Sequence, residues 1–263
     1  MAHQARKRFG QHFLVDEGVI HQIIAGIRPA THDHVIEIGP GLGAMTLPLL
    51  KSLESMSVVE IDRDLVKMWR SKNLSQLVIH ESDALKFDFA LWAQQARHVL
   101  KTGQRILIVG NLPYNISSLL LFHLMAAADW VDEQIFMLQA EVVERMVAVA
   151  GDSEYGRLSV MLQSRYDMEL ILDVPPEAFD PPPRVNSAVV RMIPKREGFL
   201  SSEQYRALEK VVTLAFAQRR KVLRNNLSTI KDQLDIDEAT LTLRAQDVPL
   251  QQYLIWARRL AGQ

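Results

Sequence analysis

Short apolar runs alternate with amphipathic stretches through the first half of the chain. The apolar runs span residues 34–38, 57–61, 77–80, 105–110 and 134–138. The stretches between them, such as 65–72 and 91–100, repeat apolar positions at the spacing of a helix face. Continuous apolar runs suit strands that are covered on both faces, and strands that alternate with helices pair in parallel. The pattern therefore predicts an α/β fold built around a parallel sheet.

The pattern changes near residue 168. Segments 168–174 and 187–192 again favour strands, but the stretch between them contains Pro175, Pro176 and the proline run 181–183. Because proline breaks helices, no crossover helix fits there and the two strands are expected to pair antiparallel. A mostly parallel sheet with an antiparallel edge strand is the Rossmann-like arrangement of S-adenosylmethionine-dependent methyltransferases.

Beyond residue 194 the pattern is helical. Residues 194–198 suit a linker, and Ser201 followed three residues later by Gln204 predicts a capped helix start. Helical patterns follow over 205–217, 221–227 and 250–260. We therefore predict two domains, a sheet domain over residues 1–196 and a small all-α domain over residues 197–263.

Composition narrows the chemistry. The chain has no cysteine, which excludes disulfides, thiolate-bound metals and a cysteine nucleophile, and which fits a cytoplasmic location. No apolar run approaches the roughly 20 residues of a membrane-spanning helix, and no apolar segment follows the basic N-terminus as in a secretory signal. The histidines lack metal-ligand spacing, so no metal is expected. Because no apolar run is long enough to span a bilayer, no membrane partner is expected either.

The charge distribution is uneven. The formal net charge is −1, so bulk charge does not indicate a nucleic-acid partner. Basic residues are nevertheless clustered: Arg6, Lys7 and Arg8; Arg219, Arg220, Lys221 and Arg224; Arg258 and Arg259. Any single cluster is more simply explained as a solvated face, whereas several together bring phosphate binding into consideration.

A glycine-rich turn with glycines at 39, 41 and 43 follows the first predicted strand. Alternate glycines allow a tight turn and a close approach to a ligand at the start of the next helix. The spacing departs from the Gly-x-Gly-x-x-Gly of nicotinamide enzymes, although Ala44 occupies a place that accepts alanine, so NAD is disfavoured and not excluded. Glu37, which precedes the turn, favours an S-adenosylmethionine site.

Acidic residues follow the next two strands. Glu60 ends the second strand, where a carboxylate can accept both ribose hydroxyls of an adenosine ligand. Asp83 follows the third strand, where it can accept the adenine amine of the cofactor. Asp62 is better explained as a cap of the helix that follows it. Acids at these places are common to nucleoside cofactors and do not separate one cofactor from another.

The run Asn111-Leu112-Pro113-Tyr114 follows the fourth strand and carries the most specific chemistry. The lone pair of an adenine amine is delocalised into the ring, which makes the nitrogen a poor nucleophile. The Asn111 side-chain oxygen and the Leu112 carbonyl can accept the two amine hydrogens and turn the nitrogen toward tetrahedral geometry. Pro113 restrains the backbone, and Tyr114 offers a face on which a flipped base can stack. An ordinary turn is the alternative, and it is disfavoured at this place in an α/β pattern.

Five segments together resemble the ribosomal RNA adenine dimethyltransferases, most closely the bacterial small-subunit enzymes: 11–14, 37–43, 111–114, 179–187 and 216–221. The matches run in order through nearly the whole chain. The resemblance implies S-adenosyl-L-methionine as cofactor and two adjacent adenosines in a hairpin loop near the 3′ end of 16S small-subunit rRNA as substrate. Each adenosine would become N6,N6-dimethyladenosine within the assembling small ribosomal subunit. Nothing in the sequence requires more than a monomer.

The resemblance also implies roles for single residues. Cofactor contacts are implied for His12, Leu14, Gly39, Gly41, Glu60, Asp83 and Asn111. Contacts with the target base are implied for Asn111, Leu112, Pro113 and Tyr114, with Phe179 on the other face of the base. RNA contacts are implied for Arg6, Lys7, Arg8, Arg219, Arg220, Lys221 and Arg224. Phe179 suits a core aromatic beside the proline run almost equally well. His12 stands where many relatives carry asparagine, and an imidazole can still donate or accept one hydrogen bond.

Two alternatives share these motifs. The first is the same chemistry on large-subunit rRNA or on DNA, which the 179–187 segment and the C-terminal helices fit less well. The second is an RNA-binding assembly factor whose methylation is dispensable. The complete cofactor and 111–114 motifs argue that catalysis is retained, and both roles can coexist in one protein.

Overall fold

The computed structural model describes residues 12–196 and 200–262 of the chain. These residues form two compact units. Residues 12–140 and 168–194 make the first, called here the sheet unit. Residues 141–167, 195–196 and 200–262 make the second, called the helical unit.

The helices and strands are as follows. The strands are β1 (Phe13–Leu14), β2 (His34–Ile38), β3 (Met56–Glu60), β4 (Leu77–Glu81), β5 (Ile106–Asn111), β6 (Glu133–Gln139), β7 (Tyr166–Val174), β8 (Phe179–Asp180) and β9 (Ser187–Pro194). The α-helices are α1 (Glu17–Ile27), α2 (Thr46–Leu50), α3 (Arg63–Ser71), α4 (Phe89–Val99), α5 (Ser117–Leu124), α6 (Ala140–Val147), α7 (Arg157–Gln163), α8 (Ser202–Ala215), α9 (Leu223–Asn226), α10 (Lys231–Leu234), α11 (Glu238–Leu241) and α12 (Leu250–Leu260).

The main sheet has seven strands in the order β4-β3-β2-β5-β6-β9-β7. The first five of these are parallel, with Ile36 of β2 opposite Ser57 of β3 on one side and Ile108 of β5 on the other. Ile36 and Ile108 are fully buried, as expected for central strands covered on both faces. The predicted α/β fold with a parallel sheet is confirmed, and each predicted strand is present within one or two residues of its expected bounds.

The edge of the sheet is antiparallel, as predicted. Strand β9 runs antiparallel to β6, with Gln139 opposite Ser187. The backbone nitrogen of Lys195 donates to the carbonyl of Arg165 at 3.0 Å, which joins the residue after β9 to the residue before β7. The end of one strand therefore lies beside the beginning of the other, so that β7 and β9 are antiparallel neighbours.

A second sheet of two short strands was not predicted. Strand β1 pairs antiparallel with β8, so that Phe13 lies opposite Asp180 and Leu14 opposite Phe179. The backbone nitrogen of Val15 extends this pairing by donating to the carbonyl of residue 178 at 2.8 Å. Strands of two residues are too short to carry an alternating pattern, so sequence periodicity could not reveal them.

Charged side chains form a network at the amino ends of the central strands. Asp33 is 4% exposed, and its carboxylate accepts from Arg105 Nη2 at 2.7 Å and from the Arg105 backbone nitrogen at 3.0 Å. Arg105 also donates to Glu133 at 3.1 Å. Arg191 then pairs with Glu133 at 3.1 Å and with Glu169 at 2.6 Å. The network ties the starts of β2, β5 and β6 to the antiparallel edge.

The helical unit is built around α7, α8 and α12. The predicted helix start is confirmed, because Ser201 Oγ accepts from the Gln204 backbone at 3.2 Å and Gln204 Oε1 accepts from the Ser201 backbone at 2.9 Å. Segment 141–167, which precedes the predicted domain boundary at 196, packs with this unit. Its apolar helix faces do not reveal from sequence which partner covers them. Over residues 12–196 and 200–262, no helix is long and apolar enough to cross a membrane.

Candidate active site

A cavity of about 580 Å³ opens in the sheet unit at the carboxyl ends of β2, β3 and β5. Ligands of open α/β sheets bind at this end of the strands. Among the residues that line the cavity are His12, Leu14, Gly39, Gly41, Glu60, Asp83, Asn111, Leu112, Pro113 and Tyr114. The structure thus brings the residues assigned to the cofactor together with the 111–114 turn, which consists of Asn111, Leu112, Pro113 and Tyr114.

The glycine turn after β2 is held by a buried tryptophan of α3. Gly43 has a φ of 100°, a conformation that favours glycine, and an added Cβ would lie 2.6 Å from Trp69 Cη2. Trp69 is 1% exposed, and its Nε1 donates to the Gly41 carbonyl at 3.0 Å. Trp69 was missed by the sequence reasoning. A large aromatic on the apolar face of the helix after Glu60 is the one signal that pointed to it.

Glu37 lies beneath the glycine turn and is 2% exposed. Thr46 Oγ1 donates to its carboxylate at 2.6 Å. Burial raises the pKa of Glu37 from 4.5 to about 7; the Thr46 hydrogen bond lowers the pKa and repulsion from Glu60 raises it. The carboxyl beside the cavity is therefore divided between protonated and charged forms near neutral pH.

The stability of the folded chain is expected to fall as the pH rises from about 5 to about 8, and to fall less in Glu37→Gln. The folded-state pKa of about 7 lies above the unfolded value of 4.5, so the stabilisation by bound proton is complete below about pH 4.5 and is lost as the pH rises through about 7. Glutamine keeps an acceptor for Thr46 and has no proton to lose. Urea unfolding of both chains across this pH range measures the difference. Parallel plots of unfolding free energy against pH would contradict the raised pKa.

The acids after β3 and β4 have distinct partners. Glu60 is 5% exposed and accepts from the Asp62 backbone at 2.8 Å. Burial raises the pKa of Glu60, and hydrogen bonds from backbone nitrogens lower it in part. Asp62 is the N-cap of α3 and accepts from the Asp64 backbone at 2.9 Å, which confirms its predicted role. Asp83 accepts from the Leu85 backbone at 3.0 Å. Glu60 and Asp83 both line the cavity.

Asn111 ends β5 and has a defined orientation. The preceding Gly110 approaches β2 so closely that an added Cβ would lie 2.7 Å from the Ile38 carbonyl. Asn111 Nδ2 donates to the His12 carbonyl at 3.3 Å. Because a carbonyl only accepts, this bond identifies the nitrogen end of the amide and leaves Oδ1 as an acceptor on a residue that lines the cavity.

The rest of the 111–114 turn is held from three directions. The Leu112 backbone nitrogen donates to Met137 of β6 at 3.1 Å. The Tyr114 hydroxyl lies 2.7 Å from Ser187 Oγ of β9, and the Tyr114 ring stacks on His12 with centroids 5.6 Å apart. Burial raises the pKa of Tyr114, and the hydrogen bond with Ser187 offsets part of this rise. Ser187 closes the 179–187 segment, and its contact with Tyr114 could not be predicted from the residue pattern.

Phe179 is the described predicted cofactor or base residue that does not line the cavity. It is 3% exposed in the hydrophobic core of the sheet unit, where β8 pairs it with Leu14, and it does not line the cavity. The structure thus shows the core position that was one of its two interpretations. Stacking on the far face of a base stays a prediction, and it would require Phe179 to leave the core.

The predicted RNA-binding residues differ in their partners. Arg219 donates to the Ser153 carbonyl at 2.5 Å, and Arg224 pairs with Glu238. Residues 6–8 lie outside the described residues. These roles in RNA binding stay predictions.

Two other predicted residues of the helical unit, Arg220 and Lys221, are exposed. In the part of the chain that the structure describes, neither side chain has a hydrogen-bond or ion-pair partner, although the Lys221 backbone nitrogen donates to the Gln218 carbonyl at 2.9 Å. A β-bridge pairs the next residue, Val222, with Arg244, which is also exposed. Arg244 therefore comes close to this cluster from a distant part of the sequence, and the sequence reasoning missed it. Arg220, Lys221 and Arg244 are called the basic cluster below.

Metal ligation finds no support in the geometry. In the part of the chain that the structure describes, no group of three or more His, Asp or Glu side chains is placed to hold a metal ion. The expectation that no metal is required stays a prediction.

The strand order, the glycine turn and the cavity at the strand ends define a Rossmann-like methyltransferase. A sequence model described as ribosomal RNA adenine dimethylase matches residues 2–257. The chain belongs to this family. The resemblance seen in the sequence is confirmed, and with it the predicted enzyme class, an rRNA adenine dimethyltransferase.

Individual relatives agree with this assignment. A protein of Cupriavidus metallidurans named ribosomal RNA small subunit methyltransferase A is 56% identical over 270 residues, covering 99% of this chain and 94% of the relative. A solved dimethyladenosine transferase of Plasmodium falciparum has a TM-score of 0.74 at 23% identity, covering 93% of this chain and 96% of the other. The solved 23S rRNA methyltransferase ErmE has a TM-score of 0.62 at 23% identity, covering 94% of this chain and 99% of the other. The two structures show a shared fold.

Proposed function

We propose that the chain transfers methyl groups from S-adenosylmethionine to the N6 amines of two adjacent adenosines in the 3′-terminal hairpin loop of 16S small-subunit rRNA. The product is N6,N6-dimethyladenosine, made in the cytoplasm during assembly of the small subunit. The orientation of Asn111 carries this proposal, because its bond to the His12 carbonyl leaves an acceptor oxygen at the cavity that the glycine turn also lines. The small-subunit relative supports the choice of substrate.

The residues of the 111–114 turn fit the needs of an amine methylation. Asn111 Oδ1 accepts one amine hydrogen and the Leu112 carbonyl the other, which turns the lone pair of N6 out of the adenine ring. The Tyr114 ring, held through its hydroxyl by Ser187, supports the base by stacking. Acceptors fixed in advance act on the developing charge without a reorganisation cost. S-adenosylmethionine would supply the electrophilic methyl group and leave as S-adenosylhomocysteine, and N6 would lose one proton to solvent for each methyl group gained.

The cavity residues also fit the cofactor. Glu60 uses backbone donors for part of its acceptor capacity, and a carboxylate has further lone pairs for ribose hydroxyls. Asp83 uses one oxygen for the Leu85 backbone and keeps the other for an adenine amine. A cavity of about 580 Å³ is within the usual size of a cofactor site.

Glu60→Gln is expected to weaken cofactor binding by about 1–3 kcal/mol. The glutamine amide keeps an acceptor for the Asp62 backbone, but it lacks the charge and the second acceptor oxygen that the ribose hydroxyls need. Titration calorimetry with S-adenosylhomocysteine measures the change. Glu54→Gln, an exposed acid that is 65% accessible, is the matched control. Equal affinity of Glu60→Gln and the unaltered chain for S-adenosylhomocysteine would contradict the proposed contact between Glu60 and the ribose hydroxyls.

The basic cluster is suited to RNA phosphates, because the side chains of Arg220 and Lys221 have no partner among the described residues to give up. The double variant Arg220→Ala/Lys221→Ala is expected to weaken RNA binding for all sequences and to reduce the slope of log K against log salt by about 1–2. Fluorescence anisotropy with labelled rRNA fragments at several salt concentrations measures it. Arg63→Ala/Lys67→Ala removes two exposed cations of α3 and serves as control. An unchanged slope in the first variant would place the RNA elsewhere.

Methyl transfer from labelled S-adenosylmethionine tests the proposal as a whole. Small subunits that lack adenine dimethylation, large-subunit rRNA and DNA are offered in parallel. Label recovered as N6,N6-dimethyladenosine in small-subunit rRNA is the expected result. Label confined to large-subunit rRNA or DNA would overturn the substrate. A catalytically dead variant that fully restored subunit assembly would show that binding is the main role.

A further inference from the structure

His12 contacts three parts of the sheet unit that come from distant places in the chain. Its Nδ1 lies 2.7 Å from the Pro181 carbonyl, in the segment that follows β8. Its ring stacks on Tyr114 with an interplanar angle of 22°. Its own carbonyl accepts from Asn111 Nδ2 at 3.3 Å. One residue of the N-terminal segment thus touches both the turn that faces the target base and the loop beside it.

The hydrogen bond to Pro181 shows that Nδ1 of the imidazole carries a proton. A carbonyl oxygen can only accept, so Nδ1 carries the proton and donates. The bond also sets the plane of the ring, since rotation about its axis would move Nδ1 away from Pro181. The His12 ring is therefore a fixed surface, and the side chain that rests on it takes its orientation from that surface.

Tyr114 is the side chain that rests on it. The Ser187 Oγ holds the hydroxyl end of Tyr114 at 2.7 Å, while His12 covers one face of the ring at a centroid distance of 5.6 Å. Aromatic rings attract each other at this separation. With one face covered by His12, a flipped base stacks on the other face, and the tilt of that face depends on the imidazole.

We propose that His12 is a positioning residue for methyl transfer. Its ring sets the plane of Tyr114, and its carbonyl turns the Asn111 amide so that Oδ1 faces the base. This goes beyond the cofactor contact that the sequence implied for His12, and it rests on the proposed roles of Asn111 and Tyr114 at the target adenine. The carbonyl is present in any variant, so substitutions of the side chain test the ring.

The first test separates positioning from cofactor binding. His12→Ala is expected to lower kcat at saturating cofactor by about tenfold, because small displacements of a platform for the reacting group are costly, and saturation removes any loss of cofactor affinity from the comparison. His12→Phe, which keeps an aromatic surface, is expected to recover most of kcat. His21→Ala, an exposed histidine of α1, is the matched control. A loss confined to cofactor affinity, with kcat unchanged, would overturn the proposal.

The second test asks whether His12 acts through Tyr114. In a Tyr114→Ala background, His12→Ala is expected to change kcat by less than about twofold, because the ring that it positions is gone. An equal factor in both backgrounds would mean that the two residues act independently, and would overturn the proposal.

The third test reads the imidazole directly. In the folded protein labelled with 15N-histidine, the His12 signal is assigned as the one lost in His12→Ala, and the Nδ1–H tautomer is expected. The Nε2–H tautomer would contradict the bond to Pro181.

Turnover of small-subunit rRNA by the unaltered chain is measured first. Absence of turnover would contradict the proposed function. Turnover with independent effects of His12 and Tyr114 would contradict only the positioning role of His12.

Discussion

Asn111→Ala is expected to lower the rate of methyl transfer by at least about 10²-fold while the protein stays folded. Alanine removes Oδ1, the acceptor that turns the adenine amine toward reactive geometry. It also removes the Nδ2 donor that ties the turn to the His12 carbonyl. No neighbouring side chain of the turn offers an equivalent acceptor, since Pro113 is apolar and the Tyr114 hydroxyl is bonded to Ser187.

Single-turnover transfer of labelled methyl groups, at saturating cofactor and rRNA, measures this effect. Saturation separates the chemical step from any loss of cofactor affinity, because Asn111 is also a predicted cofactor contact. The control is Gln95→Ala, which removes an exposed amide from α4. Circular dichroism and the urea midpoint of Asn111→Ala should match the unaltered chain. Transfer at the unaltered rate would exclude the role assigned to the Asn111 side chain.

Asp33→Ala is expected to reduce the free energy of unfolding by about 3–5 kcal/mol. The Asp33 carboxylate has no exposed side-chain surface and accepts from the Ala30 backbone at 2.9 Å and from Arg105 through both backbone and side chain. Removing it leaves the Arg105 guanidinium short of a partner at the amino ends of β2 and β5. Breaking a buried pair is costly because the remaining charge is less fully compensated, here by Glu133 alone.

Urea unfolding measures the change, and the neighbouring contact between His32 and Glu54 provides the control. His32 and Glu54 lie 2.9 Å apart, but their side chains are 59% and 65% exposed. Glu54→Ala should therefore cost no more than about 1 kcal/mol. The cavity lies at the opposite ends of the strands, so cofactor affinity of the folded Asp33→Ala fraction is expected to be retained. Similar losses for Asp33→Ala and Glu54→Ala would show that burial of the network contributes little.

Regular elements and local motifs were predictable from sequence, and contacts between distant segments were not. The strands around Ile36 and Ile108 are continuous apolar runs, and their burial follows from that pattern. The 111–114 turn was found because its chemistry is local. The pairing of β1 with β8 and the contact between Tyr114 and Ser187 depend on how segments meet after folding.

Phe179 and segment 141–167 show a second limit of the sequence. A phenylalanine beside a proline run suits a core and a base-stacking wall equally, and only the position of β8 places it in the core. The amphipathic helix α7 fits either unit by its pattern, and packing assigns it to the helical unit. In each case the residue pattern states that a face is buried and leaves the partner undefined.

The contacts that order the 111–114 turn span long distances along the chain. His12 precedes Asn111 by 99 residues, and Ser187 follows Tyr114 by 73. During synthesis the five parallel strands therefore leave the ribosome well before the last support of the turn is made. A nascent chain that ends before β9 contains His12 but lacks Ser187, the hydrogen-bond partner of the Tyr114 hydroxyl. The turn therefore gains its full set of contacts only when the sheet unit has been synthesised through Ser187.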